Sequence, residues 1–440
     1  MQKGRVTMAG NSGKWRRLIM AIAAVLYCSL GAFLVTSREG DSSGGREIQL
    51  TLTVPAGQTT DPIYRGAIDR FKAENPGVSV KLIPVSSRNY YQKVMVMVAG
   101  NCAPDLMWMG QSFNEFADKG LFLDLSRRIR QARIDLNEYK PAVLNWYRRG
   151  KRLYSLPFGE DVSFLFYNRR LFREAGVPYP TDDWSLEEFL AAARKLTRRD
   201  AEGRVLCYGF RGQLEPGVFG AAPIRISDGE VNCDTPEMRE YFRVNLELAH
   251  RWRVAPTPEE MQTMNIDVLS SFRQGQVAMM PGFTMNIFQA LETFRGMEFD
   301  MTRQPKVKCF SQWASSHAIC ISKDTKYPEE AWKLFLKFQE REFQLPMSHR
   351  MLPARSSLVE EALAPSPDRP ANYRVLARAL AVMAPTPRVP HLQELMAVFS
   401  RFSGQVMSRR LLPAEGMRQC AAEMHRRREL FRKTDMESEE

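Results

Sequence analysis

The chain has 440 residues, too many for one compact core and enough for two or three domains. A composition of 44% hydrophobic, 25% charged and 10% aromatic residues excludes a wholly disordered, collagenous or many-span membrane chain. The 62 basic residues outnumber the 50 acidic ones, and the resulting +12 invites a polyanionic partner until its position along the chain is known.

Part of the surplus lies at the start. Residues 1–37 carry Lys3, Arg5, Lys14, Arg16 and Arg17 and no acidic group, so the remainder holds 57 basic against 50 acidic residues. From Leu18 to Ser37 the chain is uncharged and largely apolar, which after a basic flank predicts an export segment. Its 20 residues also suffice to span a bilayer, so a cleaved signal peptide and an uncleaved membrane anchor both remain open. Tyr27 before Cys28 speaks against a lipoprotein signal. The polar stretch 38–47 reads as a flexible linker.

Alternation of Ile48, Leu50, Leu52 and Val54 predicts a first strand, and Tyr64, Ala67, Ile68 and Phe71 share one face of a following helix. Val78, Val80 and Leu82 predict a second strand, and Tyr91, Val94, Met95 and Val98 a second helix stripe, with Tyr91 inward and Tyr90 towards solvent or a cleft rim. Leu106 to Met109 is a short apolar strand, and Ser112-Phe113-Asn114-Glu115 predicts a capping box opening another helix. This order of elements specifies an α/β region with a largely parallel sheet. A second such region begins near Leu156, with a strand at Phe164 to Tyr167 and a capping box at Ser185-Leu186-Glu187-Glu188. Further on come a helix opened by Thr235-Pro236, strands at Val277 to Met280 and Ala318 to Ile321, and a helix opened by Pro328. The C-terminal part is helical, broken at ALAPSPDRPAN and APTPRVPH, with 431–440 as a charged tail.

Several stretches carry a family resemblance: ENPGVSV from Glu74, YYQKVMVMVAGNCAPDLMWM, and LPFGEDVSFLFYNRRLFREAGVPYPTDDWSLEEFLAAARKLT, where Tyr167-Asn168, Gly176, Pro180 and Trp184 fall in order. FRQGQVAMMPGF, AICISKDTKYPEEAWKLFLKF and LPARSSL complete the series across residues 48–358. In these the chain resembles the extracellular solute-binding proteins of ABC importers, the family that includes maltose-binding protein. The resemblance implies an α/β, two-lobe periplasmic-binding-protein-like fold with a hinge, each lobe a mostly parallel sheet flanked by helices. It places the first lobe at 48–155 plus about 316–353 and the second at 157–308 plus about 357–430, with hinge crossings near Leu156, Cys309 to Ser316 and Pro353 to Ser357. It further implies a solute held between the lobes, closure on binding, ABC permease subunits as partners, and no cofactor. A monomer on the outer face of the cytoplasmic membrane is expected, held there through its N-terminal segment if that is uncleaved.

A sugar offers hydroxyls to planar polar side chains and C–H faces to aromatic rings. At strand ends and the loops after them, that chemistry selects Gln58, Trp108, Gln111 and Ser112 in the first lobe. Glu160 and Asp161 after Leu156-Pro157-Phe158-Gly159, and Phe283 after Pro281-Gly282, are the candidates from the hinge and second lobe. The resemblance adds Trp313 and Ser315. Against these stand plainer roles: Trp108 as core, Glu160-Asp161 as a solvated turn, Asp105 as a turn brace and Trp184 as a packing residue. The expected ligand is a mono- or oligosaccharide, with a non-sugar solute or a sensor partner as alternatives.

Catalysis is not expected. Neighbouring carboxylates such as Glu160 and Asp161 do not face each other across a substrate as a glycosidase pair must, and GxSxG, Walker A and GxGxxG motifs are missing from the sequence. No metal site is expected either: neither CxxC nor HExxH occurs. Basic density peaks at His425-Arg426-Arg427-Arg428 beside Glu423 and Glu429, which reads as a solvated helix face and not a nucleic-acid surface. Of the six cysteines after the linker, Cys309 with Cys320 and Cys207 with Cys233 are nearest in sequence, which leaves their pairing open.

Overall fold

The computed structural model describes residues 47–439 apart from 111, 265, 312–313, 368, 383–386 and 388. The expected export segment, the linker up to Arg46, and the candidates Gln111 and Trp313 lie outside the described residues. The chain divides into two compact units, the first from the described residues up to Trp108 with Ile321–Lys337, the second from Met109–Cys320 with the chain from Phe338 onward.

In the first unit the alternating residues form strand β1, Ile48–Pro55, which pairs in parallel with β2, Val78–Val85, from Ile48 opposite Val78 to Pro55 opposite Val85. Strand β3, Leu106–Met109, lies parallel on the other side, with Leu52 opposite Leu106. Parallel neighbours need a crossover, and helix Pro62–Glu74 supplies it, burying Tyr64, Ala67, Ile68 and Phe71, the stripe expected. Asp61 caps this helix, its Oδ1 accepting from the Ile63 N–H at 2.9 Å. Helix Pro328–Lys337 packs against it and buries Ala331, Leu334 and Phe335. Asp105, expected to brace a turn, ties distant segments instead: Oδ2 accepts from the Thr51 N–H at 2.8 Å and the Thr51 hydroxyl at 2.7 Å, and Oδ1 from the Thr325 hydroxyl at 2.6 Å. The tyrosine pair is reversed relative to expectation. Tyr90 is buried and Tyr91 half-buried, because Tyr90 finds a polar partner inside (below).

The second unit is built around β4, Pro157–Asn168, with all of its residues buried. Around it run β5, Met279–Phe283, β6, Phe299–Thr302, β7, Ala314–Ile321, and β8, Leu352–Pro353, each antiparallel to it. The pairing around β4 is thus antiparallel where a mostly parallel sheet was expected, the parallel bridges at Ser185–Lys306 and Tyr208–Val277 lying outside these strands. The reason is physical: an apolar run buried on both faces looks the same whichever way its neighbours run. The strand also starts seven residues before the expected Phe164, since Gly159-Glu160-Asp161 has the composition of a turn.

The helices of this unit carry the expected caps. Glu188 N–H donates to Ser185 Oγ at 3.1 Å while Ser185 N–H donates to Glu188 Oε2 at 2.7 Å, and Thr235 caps Pro236–His250. Trp184 is a packing residue, buried with its indole N–H donating to the Arg303 carbonyl at 3.0 Å. Gly209 is required: a Cβ there would sit 2.0 Å from the carbonyl oxygen of Ala193 in helix Leu186–Leu196. Gly209→Ala is therefore expected to cost about 2–3 kcal/mol, read as a lower urea midpoint at unchanged slope. Helices Leu392–Met407 and Pro413–Glu439 close the chain. The arginine run on the latter is engaged internally, Arg426 and Arg427 with Glu423 and Arg428 with Glu230 at 3.1 Å.

Candidate functional site

Because β1 and β3 are parallel, their C-terminal ends reach the same sheet edge, where α/β sheets take ligands. Gln58 lies in the turn Ala56–Gln58 directly after β1; it is half-buried, and its amide oxygen is buried without a hydrogen-bond partner among the described residues. Trp108, half-buried in β3, meets Tyr90 edge to face with ring centroids 5.5 Å apart at 74°. Tyr90 opens the helix Tyr90–Ala99 after β2, and its hydroxyl lies 2.8 Å from Thr53 Oγ1 and 3.1 Å from the Thr53 carbonyl. Trp108 is thus held against a ring that is itself tied to β1. Tyr90 and Thr53 were not among the sequence candidates; the signal for Tyr90 was its place at the first helical position after a parallel strand.

Ser112, in the second unit, does not cap its helix as expected. Helix Phe113–Asp118 begins after it without a side-chain cap, and the capping box with Glu115 is not formed. Both side chains turn to Gln393 instead. Gln393 Nε2 donates to Ser112 Oγ at 2.7 Å, and the Gln393 N–H donates to Glu115 Oε1 at 3.1 Å. A partner 281 positions away outbids a local cap.

Glu160 and Asp161 sit together on β4, fully buried, not in a solvated turn. As adjacent strand residues they point to opposite faces, and each has its own surroundings. On one face, Asp161 Oδ1 accepts from the Thr284 hydroxyl at 2.7 Å, and Oδ2 lies 2.6 Å from His317 Nε2. Thr284 Oγ1 in turn accepts from the Val162 N–H at 3.0 Å. Ser315, buried on β7, stands directly opposite Asp161, and half-buried Phe283 stands opposite Ser163 on β5. On the other face, Ser316 stands opposite Glu160 and accepts from the Tyr147 hydroxyl at 3.1 Å. Lys140 Nζ is 4.0 Å from Glu160 Oε2, and neither carboxylate oxygen of Glu160 has a hydrogen bond among the described residues. Burial pushes the Glu160 carboxyl up to about 7, only partly offset by Lys140. Burial likewise raises the Tyr147 phenol and lowers the Lys140 ammonium. His317, Thr284, Tyr147 and Lys140 were not among the candidates; only β4's extent and β7's register bring them in.

Asp161, His317 and Thr284 contain the residue types of a nucleophilic triad but not its order. In a triad the hydroxyl bonds the imidazole and the carboxylate stands behind it. Here the Thr284 hydroxyl is bonded to the carboxylate and to the Val162 N–H, with the imidazole on the carboxylate's other oxygen, so the relay of a triad is not formed. The groups suit binding and positioning.

The model of the bacterial extracellular solute-binding protein family matches residues 56–338, more than half of the chain and all nine candidate positions. The chain belongs to the bacterial extracellular solute-binding proteins. Membership makes its function that of a solute-binding receptor, with binding and not turnover as its task. A Brucella abortus relative, whose name commits it only to binding, is 24% identical over 360 residues, covering 76% of this chain and 82% of its own. The multiple sugar-binding protein of Streptococcus mutans is 25% identical over 187 residues, 42% of each chain. Among solved structures, an ABC substrate-binding protein of Listeria monocytogenes in complex with cycloalternan superposes with a TM-score of 0.76 at 20% identity, over 86% of this chain and 98% of that one. The solute-binding fold is therefore this chain's fold. Among the described residues no helix is long and apolar enough to cross a membrane.

Proposed function

We propose that this solute-binding receptor takes a mono- or oligosaccharide, leaves it chemically unchanged, and delivers it outside the cytoplasm to the permease of an ABC importer. The observation that carries the reading is the edge of the first unit's parallel sheet. There a half-buried indole braced by Tyr90 shares the strand ends with the Gln58 amide oxygen, which has no partner among the described residues. An aromatic face and a planar polar group are what a sugar's C–H surface and hydroxyls recognise. Asp161 and Ser315, on the second unit, are assigned to the solute on residue type. Gln111 and Trp313 are assigned the same task on residue type and position. A relative named for sugars and a fold shared with a cycloalternan complex support the solute class. The basic flank and apolar run of residues 1–37 support export, with retention at the membrane where the segment is uncleaved.

A thermal-shift panel of sugars, polyols, polyamines and glycerol phosphates tests the reading. A saccharide at 100 times its Kd adds about 2.7 kcal/mol, a rise of several degrees in Tm. Trp108→Ala is expected to weaken the saccharide response at least 10-fold while the far-UV circular dichroism stays unchanged. Stabilisation by a non-sugar solute alone would replace the proposed ligand class.

A further inference from the structure

The C-terminal helix Pro413–Glu439 reaches past the family match, which ends at residue 338, and its attachment involves three sulfurs. Cys420 and Met424, one turn apart on that helix, meet Cys233 from the segment just before helix Pro236–His250. Cys233 Sγ is 3.6 Å from Cys420 Sγ and donates to Met424 Sδ at 3.2 Å, while Cys420 Sγ is 3.7 Å from Met424 Sδ. All three residues are fully buried in the second unit's core. Of the two pairs nearest in sequence, Cys207–Cys233 competes for the same thiol. It is Cys420, 187 positions on, that lies beside Cys233.

We propose that Cys233 and Cys420 are an oxidisable pair that forms a disulfide outside the cytoplasm, stapling the C-terminal helix to the second unit. The staple goes beyond the sugar-binding reading and rests only on the family's extracellular setting, where disulfides persist. The geometry is already close: the two sulfurs stand 3.6 Å apart, against a bond of about 2.0 Å. The thiols are also unequal. Bonding to Cys233 draws the Cys420 thiol below the ordinary range, and the same contact with burial pushes Cys233 up. With a low-molecular-weight disulfide as oxidant, the Cys420 thiolate attacks one of its sulfurs, forming a mixed disulfide and releasing one thiol. The Cys233 thiolate then attacks the Cys420 sulfur and displaces the second thiol. Two electrons pass from the cysteine pair to the oxidant, and the cysteines' two protons end on the two released thiols.

Oxidation must occur while the helix is docking or transiently open, since the finished core excludes the oxidant. The test therefore refolds the reduced, denatured full chain in a buffer of reduced and oxidised glutathione, alkylates remaining thiols under denaturing conditions, and maps the peptides by mass. The expected product is a Cys233–Cys420 linked pair, lighter by two hydrogen atoms than the reduced peptides, with Cys28, Cys102, Cys207, Cys309 and Cys320 alkylated. Reductant should then lower the Tm of the oxidised chain by roughly 5–10 °C and leave Cys420→Ser unaffected. Alkylation of both Cys233 and Cys420 after refolding, or linkage of either to another cysteine, overturns the proposal. Refolding in vitro makes the result independent of compartment. A parallel map of the chain recovered from the cell then reports separately on location, with free thiols there placing the chain in a reducing compartment.

Discussion

Replacing Glu160 by Gln is expected to leave stability unchanged at pH 4 and to raise it by about 3 kcal/mol at pH 8. The folded carboxyl titrates at about 7, against an ordinary value of 4.5, because burial on β4 penalises its charge and Lys140 at 4.0 Å offsets only part of that penalty. Between those two values the unfolded chain releases a proton that the folded chain keeps. Folded stability therefore falls as pH rises through that window and is lowest above 7. The glutamine variant has no proton to lose at this position, so the two proteins diverge from about pH 4.5 upward and run parallel beyond 7. Lys140, about a third exposed, reaches water in the variant and adds little. Urea unfolding at several pH values measures the divergence; parallel curves from pH 4 to 8 would refute it. A carboxyl kept at such a cost is the kind of concession proteins make at working sites.

Asp161→Ala is expected to cost about 3–5 kcal/mol, and Asp161→Asn less than half of that. The alanine leaves the Thr284 hydroxyl and His317 Nε2 buried without the acceptor that joins them. It also loosens the Thr284 bridge to the Val162 N–H, which fixes the end of β5 against β4. Asparagine keeps an oxygen for Thr284 and presents an amide to the imidazole. A chemical-denaturation series of the three proteins should therefore order them Asp, Asn, Ala, and equal losses for both variants would show that charge alone matters at this position.

These two neighbours show where the sequence was legible. Periodic burial could be read directly: the Tyr64, Ala67, Ile68 and Phe71 stripe and the Ser185–Glu188 capping box are local patterns, and both are present. Glu160 and Asp161 could be chosen as polar residues directly after Leu156-Pro157-Phe158-Gly159, but Gly159-Glu160-Asp161 has turn composition, and only tertiary pairing makes it part of a buried strand. The Ser112–Glu115 box fails for the converse reason, its local rule being overridden by Gln393 from the distant helix Leu392–Met407. Helix spacing points Tyr91 inward and Tyr90 outward; the Thr53 pair and the Trp108 ring, neither visible in a periodicity, reverse this. Parallel order in the first unit followed from alternating strands and helices, whereas the antiparallel neighbours of β4 leave no trace in an apolar run.

The initial +12 carries little information about the ligand: five basic groups belong to residues 1–37, and the densest cluster, Arg426 to Arg428, is paired with Glu423 and Glu230. The most direct test of the account is isothermal titration of the full chain with the saccharide that stabilises it most in the thermal panel, followed by chromatography of the recovered sugar. Saturable binding of one saccharide per chain is expected, weakened in Trp108→Ala, with the sugar recovered intact. Absence of saturable binding by any saccharide, or recovery of cleaved sugar, would contradict it.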